Sequence, residues 1–185
     1  MNAHSHEESR AAFERLFRDT RGDLLAFIAR RSRSDDAADI LAETYLIAWQ
    51  KLDAIPKGDR ARLWLFGVAR NLLLKSADRR RFGDALVGRL ADEIRRAQAV
   101  HAPAQDERSA VLFAALAALP ERDREILTLT AWEGLTPKQI AVVTGSSANI
   151  VRVRLSRARA RLKRQLGSVR TAKRGPEPLA IEHDY

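Results

Sequence analysis

The sequence predicts an all-α protein of two small helical domains joined by a flexible linker. Apolar residues recur at three- and four-residue spacings along most of the chain, and no stretch shows the sustained alternation typical of a β-strand. The helical periodicity weakens between Gly83 and Ser109. We therefore place the domains at residues 10–82 and 109–166, the linker at 83–108, and a disordered tail at 167–185.

Three helices are predicted in the first domain. The first carries apolar residues at helical spacings, and the second starts at Asp35 or Asp36, either of which suits an N-cap. Pro56 and Gly58 then mark a loop over residues 55–60. The third helix begins near Arg62 and runs into the basic cluster at residues 79–81.

The second domain is predicted to end in a helix-turn-helix. An apolar helix from residue 110 stops at Pro120, and another spans residues 121–132. Thr136, Pro137 and Gln139 then form a capping-box pattern with proline at the first helical position. Gly145 can adopt the positive φ of a sharp turn, and Ser147 can cap the last helix.

The last helix has one apolar face and one basic face. Val151, Leu155, Ala158 and Leu162 share the face predicted to pack inward. Residues 134–176 contain eleven Lys/Arg and no Asp/Glu, which favours contact with a nucleic-acid backbone. The residues predicted to reach base edges are Ser147, Ala148, Asn149, Arg152, Val153 and Ser156, and those predicted to meet phosphates are Arg154, Arg157 and Arg159.

The amino-acid composition favours some classes of function and argues against others. The 185 residues are 45% hydrophobic with a net charge of +9, which favours a folded protein with a polyanionic partner. Without cysteine, neither disulfides nor thiolate chemistry is available. Four isolated histidines suggest no metal or catalytic cluster, so an enzyme is the least favoured reading and no cofactor is expected. The longest apolar run, residues 110–119, is too short to span a bilayer, and no signal peptide is visible, so the expected location is cytoplasmic.

Three segments together resemble the extracytoplasmic-function (ECF) sigma factors of the sigma-70 family. They are residues 36–49 (DAADILAETYLIAW), residues 64–71 (WLFGVARN) and residues 119–127 (LPERDREIL), the last followed by the helix-turn-helix. The variants AWEGLTP and SANIVRVRL look most like actinobacterial members. The resemblance implies a protein that binds core RNA polymerase and directs it to promoter DNA without catalysing a reaction.

The resemblance also assigns roles to residues of the first domain. Asp39 and Glu43 match the acidic positions that face the polymerase clamp. The loop over residues 53–62 matches the one that captures a flipped base of the minus-10 element, and residues on the third helix match its DNA-facing side. The minus-10 candidates are Lys57, Asp59, Arg60, Arg62, Arg70, Asn71, Lys75, Arg79 and Arg80. Trp64 and Phe66 could stack on unpaired bases, although packing in the core is the favoured interpretation for both.

Several positions depart from the family pattern. Ala42 stands where glutamine is usual, and Thr144 and Ser146 replace apolar residues around the turn. Ile150 and Val153 replace a common threonine and a common serine near DNA. The minus-35 sequence therefore cannot be transferred from the family.

Two other functions remain open at this level. A stand-alone helix-turn-helix regulator would explain the second domain but not the acidic and Trp-containing helices of the first. A sigma mimic that titrates an anti-sigma protein would need no basic DNA-binding residues, yet both halves have them. An anti-sigma factor is also a possible partner of a true sigma factor, and no membrane insertion is expected.

Overall fold

In the computed structural model, residues 3–32, 34–77 and 107–174 are described, and within these ranges no residue lies in a β-strand. The all-α prediction is confirmed. The helices are α1 (Ala3–Ala29), α2 (Ser34–Gln50), α3 (residues 59–77), α4 (Glu107–Ala117), α5 (Glu121–Ala131), α6 (Pro137–Thr144) and α7 (Ala148–Arg174), with a short 3-10 turn at Leu52–Ala54. In the described ranges, none of the helices has the length and apolar character needed to cross a membrane.

Three boundaries differ from the prediction. Helix α1 begins at Ala3, before residue 10 where the first domain was predicted to start, and α4 begins at Glu107, inside the predicted linker. Helix α7 continues to Arg174, so residues 167–174 are helical where a disordered tail was predicted. Extending an existing helix costs far less than nucleating one, so α7 continues through Gly167 and other residues of low helix propensity to the better helix formers at residues 172–174. Most of the predicted linker lies outside the described residues.

The core of the first half lies between α1, α2 and α3. Leu24, Ile28 and Leu65 are fully buried there. The rings of Phe27 and Phe66 stack with centroids 4.7 Å apart and planes 14° from parallel. The predicted core role of Phe66 is thus confirmed.

The core of the second half lies between α5, α6 and α7. Leu129, Ile140 and Val151 are each at most 1% exposed. A salt bridge from Arg161 of α7 to the buried carboxylate of Asp123, in the first turn of α5, adds a polar contact. An acidic side chain there also interacts favourably with the helix dipole.

The two halves pack against each other. A Cβ atom placed on Gly67 of α3 would lie 3.6 Å from the carbonyl oxygen of Val143 of α6, so these two backbones approach closely. Apart from Ala115, the buried apolar residues of both halves form one continuous cluster. No local pattern in the sequence indicates this arrangement, because the contacts join residues far apart in the chain.

Candidate nucleic-acid interface

The helix-turn-helix forms as its local signals predict. The Thr136 hydroxyl accepts from the backbone N–H of Gln139, and the Gln139 side chain accepts from the backbone N–H of Thr136. Gly145 ends α6 with φ +63°, in the left-handed region. The Ser147 hydroxyl then accepts from the backbone N–H of Ile150 at 3.2 Å, which caps α7. The start of α7 is therefore fixed by the left-handed Gly145 at the end of α6 and by the Ser147 cap.

Helix α7 turns its predicted apolar face inward. Val151, Leu155 and Ala158 are 1%, 5% and 0% exposed, and Leu162 packs partly buried against the same core. The remaining faces of the helix are therefore left to solvent.

Most residues predicted to reach base edges are solvent-exposed. This holds for Ser147, Asn149, Arg152, Val153 and Ser156, whereas Ala148 is half-buried against the core. Arg152 donates from Nη2 to Asn149 Oδ1 at 3.3 Å, so these two side chains form one polar group at the start of α7.

The three predicted phosphate contacts lie on the same helix. Arg157 and Arg159 are exposed and Arg154 is half-buried. None of the three forms an ion pair with a residue in the described ranges. Their charges are thus available to an anion.

The end of the loop before α3 and the first turn of α3 contain several candidate residues. Lys57, Asp59 and Arg60 are exposed beside Gly58, whose φ is +66°. Arg62 is different: its Nε lies 2.6 Å from Asp23 Oδ2, and its guanidinium lies 4.7 Å from the centroid of the Phe66 ring. Arg62 therefore also ties α3 to α1.

Along α3 the candidates divide in the same way. Asn71 and Lys75 are exposed, and Trp64 packs partly buried against the core. Arg70 makes a two-pronged ion pair with Glu125 of α5, with Nε to Oε1 at 2.5 Å and Nη2 to Oε2 at 3.0 Å. The other two candidates, Arg79 and Arg80, lie outside the described residues.

A second ion-pair cluster joins the halves at Glu133, between α5 and α6. Its carboxylate is only 3% exposed and accepts from Arg30 at 2.5 Å and from Arg31 at 2.8 Å. The Arg31 guanidinium also lies 4.0 Å from the centroid of the Phe27 ring. Burial lowers the pKa of Arg31 from its ordinary value, while the neighbouring Glu133 carboxylate opposes that shift.

An acidic face remains open on α2. Asp39 and Glu43 are both exposed and lie one helical turn apart. Leu46 continues this face and is 56% exposed. The face therefore combines negative charge with an apolar side chain.

The sequence-based prediction missed Glu125 and Glu133. Glutamate is seldom buried, so neither residue carries a local sign of its place between the halves. Nothing in the local pattern identifies Arg30 and Arg31 as partners of Glu133. In the described ranges, no cluster of three or more acidic or histidine residues could hold a metal ion.

Comparison with known proteins identifies both halves. The family model of sigma-70 region 2 matches residues 16–82, and that of sigma-70 region 4 matches residues 109–162. The chain is 33% identical to the RNA polymerase sigma factor NccH of Alcaligenes xylosoxydans xylosoxydans, over 72% of this chain and 74% of that protein. It is 32% identical to the ECF RNA polymerase sigma factor SigL of Mycobacterium tuberculosis, over 78% and 84% of the two chains.

A solved structure agrees with these matches. The structure of CnrH in complex with the cytosolic domain of CnrY superposes with a TM-score of 0.58 at 27% identity. The superposition covers 86% of this chain and 90% of CnrH.

Proposed function

Because this chain belongs to the ECF sigma factors of the sigma-70 family, we propose that one of its surfaces binds RNA polymerase and two others bind promoter DNA. As a sigma factor it binds core RNA polymerase and directs transcription initiation. The acidic face of α2 contacts the polymerase clamp, α3 with its preceding loop reads the minus-10 element, and α7 reads the minus-35 element. Sigma factors catalyse no reaction of their own, and the proposed place of action is the cytoplasm.

The exposed start of α7 is the observation that best supports the minus-35 role. In a helix-turn-helix, the N-terminal residues of the second helix contact base edges in the major groove. Here Asn149 and Arg152 are exposed and hydrogen-bonded to each other. These two residue types pair bidentately with adenine and guanine.

The minus-10 role has a structural condition. Arg70 can offer the Nε–Nη2 edge of its guanidinium to DNA only after its ion pair with Glu125 is broken, because both of these atoms donate to that carboxylate. Promoter binding that uses this edge of Arg70 therefore requires α5 to move away from α3 around Glu125. A protein that held the halves together, such as an anti-sigma factor, would keep this edge of Arg70 from DNA.

The polymerase-binding role is tested by reversing the charge of the α2 face. Asp39→Arg combined with Glu43→Arg should abolish run-off transcription with added core enzyme and weaken co-purification by at least ten-fold, because like charges then face a basic partner surface. Circular dichroism should be unchanged, since both side chains are exposed.

The matched control is Glu7→Arg with Glu8→Arg, which makes the same charge change on exposed residues of α1. This control should bind core enzyme like the unmodified protein. If the α2 variant also binds core enzyme normally, its acidic face is not part of the polymerase interface.

A further inference from the structure

Two apolar side chains stand out on the solvent side of α7. Ile150 is 54% exposed and Val153 is 46% exposed, although Val151 between them is almost fully buried. Burying apolar surface is favourable in free energy, and the exposed parts of this pair do not contribute that free energy in the unbound protein. A partner that covers both would recover that free energy.

The surroundings of the pair indicate the kind of partner. Ile150 and Val153 line an open groove of about 570 Å³ between α7 and the start of α5, together with Asn149, Arg154 and Arg157. The side of the groove formed by α7 thus has cations beside an apolar pair. The opposite side, at the start of α5, also contains Glu121 and Asp123, of which Asp123 is paired with Arg161. The α7 side therefore favours an occupant that supplies negative charge and apolar groups at short range.

Double-stranded DNA has both properties in its major groove. Its phosphates are negative, and the C5-methyl group of each thymine projects into the groove. The side chains of residues three apart on a helix lie about 5–6 Å apart at Cβ, whereas bases along one strand rise about 3.4 Å. Ile150 and Val153 can therefore contact neighbouring or next-but-one base pairs.

We propose that Ile150 and Val153 recognise thymine methyl groups, so that the minus-35 element of this protein contains thymine, on either strand, at one or two positions facing the start of α7. This inference rests on the proposed minus-35 role of α7. It adds an apolar readout to the hydrogen-bonding readout of Asn149 and Arg152. Both readouts depend on the Ser147 cap, which sets the register of the helix.

The test removes the methyl group and nothing else. The preferred minus-35 element is first selected from a randomised library with the full chain bound to core RNA polymerase. Each thymine of that element is then replaced by deoxyuridine, one position at a time, and affinity is measured. At one or two positions, affinity should fall about four-fold, as expected for one buried methyl group.

Variants then assign each position to a side chain. Ile150→Ala and Val153→Ala should each weaken binding to the thymine element and remove the deoxyuridine effect at one position. Val142→Ala is the matched control, because Val142 is also apolar and 59% exposed but lies on α6. It should leave the deoxyuridine effects unchanged.

The outcomes separate this inference from the function on which it rests. A selected element without thymine, or deoxyuridine replacements without effect on sequence-specific binding, would overturn methyl recognition and leave the minus-35 role intact. Selection that yields no preferred element would overturn the minus-35 role itself. If Ile150→Ala weakens binding to core enzyme in the absence of DNA, the apolar pair is a protein contact and the methyl inference is wrong.

Discussion

The two proposed DNA-binding surfaces differ in how available their arginines are. On α7, Arg154, Arg157 and Arg159 form no ion pair within the described ranges, and Arg152 bonds only a neutral amide. On α3, Arg62 is paired with Asp23 and Arg70 with Glu125. The same residue type is thus ready for phosphates on one surface and bound to carboxylates on the other. A sequence pattern that places an arginine on the surface therefore does not show that its charge is free to bind a phosphate.

The largest effect is expected from removing Glu133, whose ion pairs with Arg30 and Arg31 join the two halves. Glu133→Ala leaves Arg31 buried without its carboxylate, and removing one partner of a buried ion pair costs about 3–5 kcal/mol. We expect a lower melting temperature and greater protease sensitivity at the contact between the halves. Thermal unfolding and limited proteolysis measure both.

Two further variants separate charge from packing. Asp53→Ala, an exposed acidic residue outside this contact, should leave the melting temperature nearly unchanged. Glu133→Leu combined with Arg31→Leu should recover much of the lost stability, because apolar replacements of a buried ion pair are often neutral or stabilising. Equal stability of Glu133→Ala and the unmodified protein would show that the cluster does not hold the halves together.

Two arginine variants of α7 distinguish a base contact from a phosphate contact. Arg152→Ala should relax preference at one or two minus-35 base pairs, where a bidentate arginine–guanine contact is worth about 1–3 kcal/mol. Arg159→Ala should weaken binding to all sequences alike and lower the salt dependence by about one unit of slope. A library of minus-35 variants measured at several salt concentrations distinguishes the two. A uniform loss for Arg152→Ala would make Arg152 a phosphate contact.

The smallest effect is expected from releasing Arg70 alone. Glu125→Gln removes a partly exposed pair, and such pairs contribute about 1 kcal/mol or less. Affinity of the free protein for a single-stranded minus-10 oligonucleotide should therefore rise by up to about five-fold, as measured by fluorescence anisotropy. Glu14→Gln, whose pair with Arg10 is exposed on α1, should have no such effect. Unchanged or weaker binding of Glu125→Gln would mean that the pair does not restrict Arg70.

The helix-turn-helix was predictable because its signals are local. Thr136 and Gln139 are three residues apart, and Gly145 and Ser147 flank the turn that they define. The inward face of α7 follows from the same short-range periodicity. The ends of α1 and α7 were placed wrongly because helix propagation past weak residues depends on small free-energy differences per residue.

The contacts between the halves could not be predicted in this way. Glu133 lies more than 100 residues from Arg30 and Arg31, and Arg70 lies 55 residues from Glu125. No periodicity or capping rule links positions so far apart. Arg70 was therefore predicted as a DNA contact from the family resemblance alone, with no sign that a carboxylate already held it.

The close approach of α3 and α6 at Gly67 limits the size of the side chain that position 67 can hold while the two halves stay packed. An alanine there would make an ordinary contact with Val143, since its Cβ would lie 3.6 Å from the carbonyl oxygen. A leucine would add three more heavy atoms in the same direction and would have to push the two helices apart. The volume of the side chain at position 67 thus sets the distance between α3 and α6. A larger residue there would separate the two halves without changing any charged group.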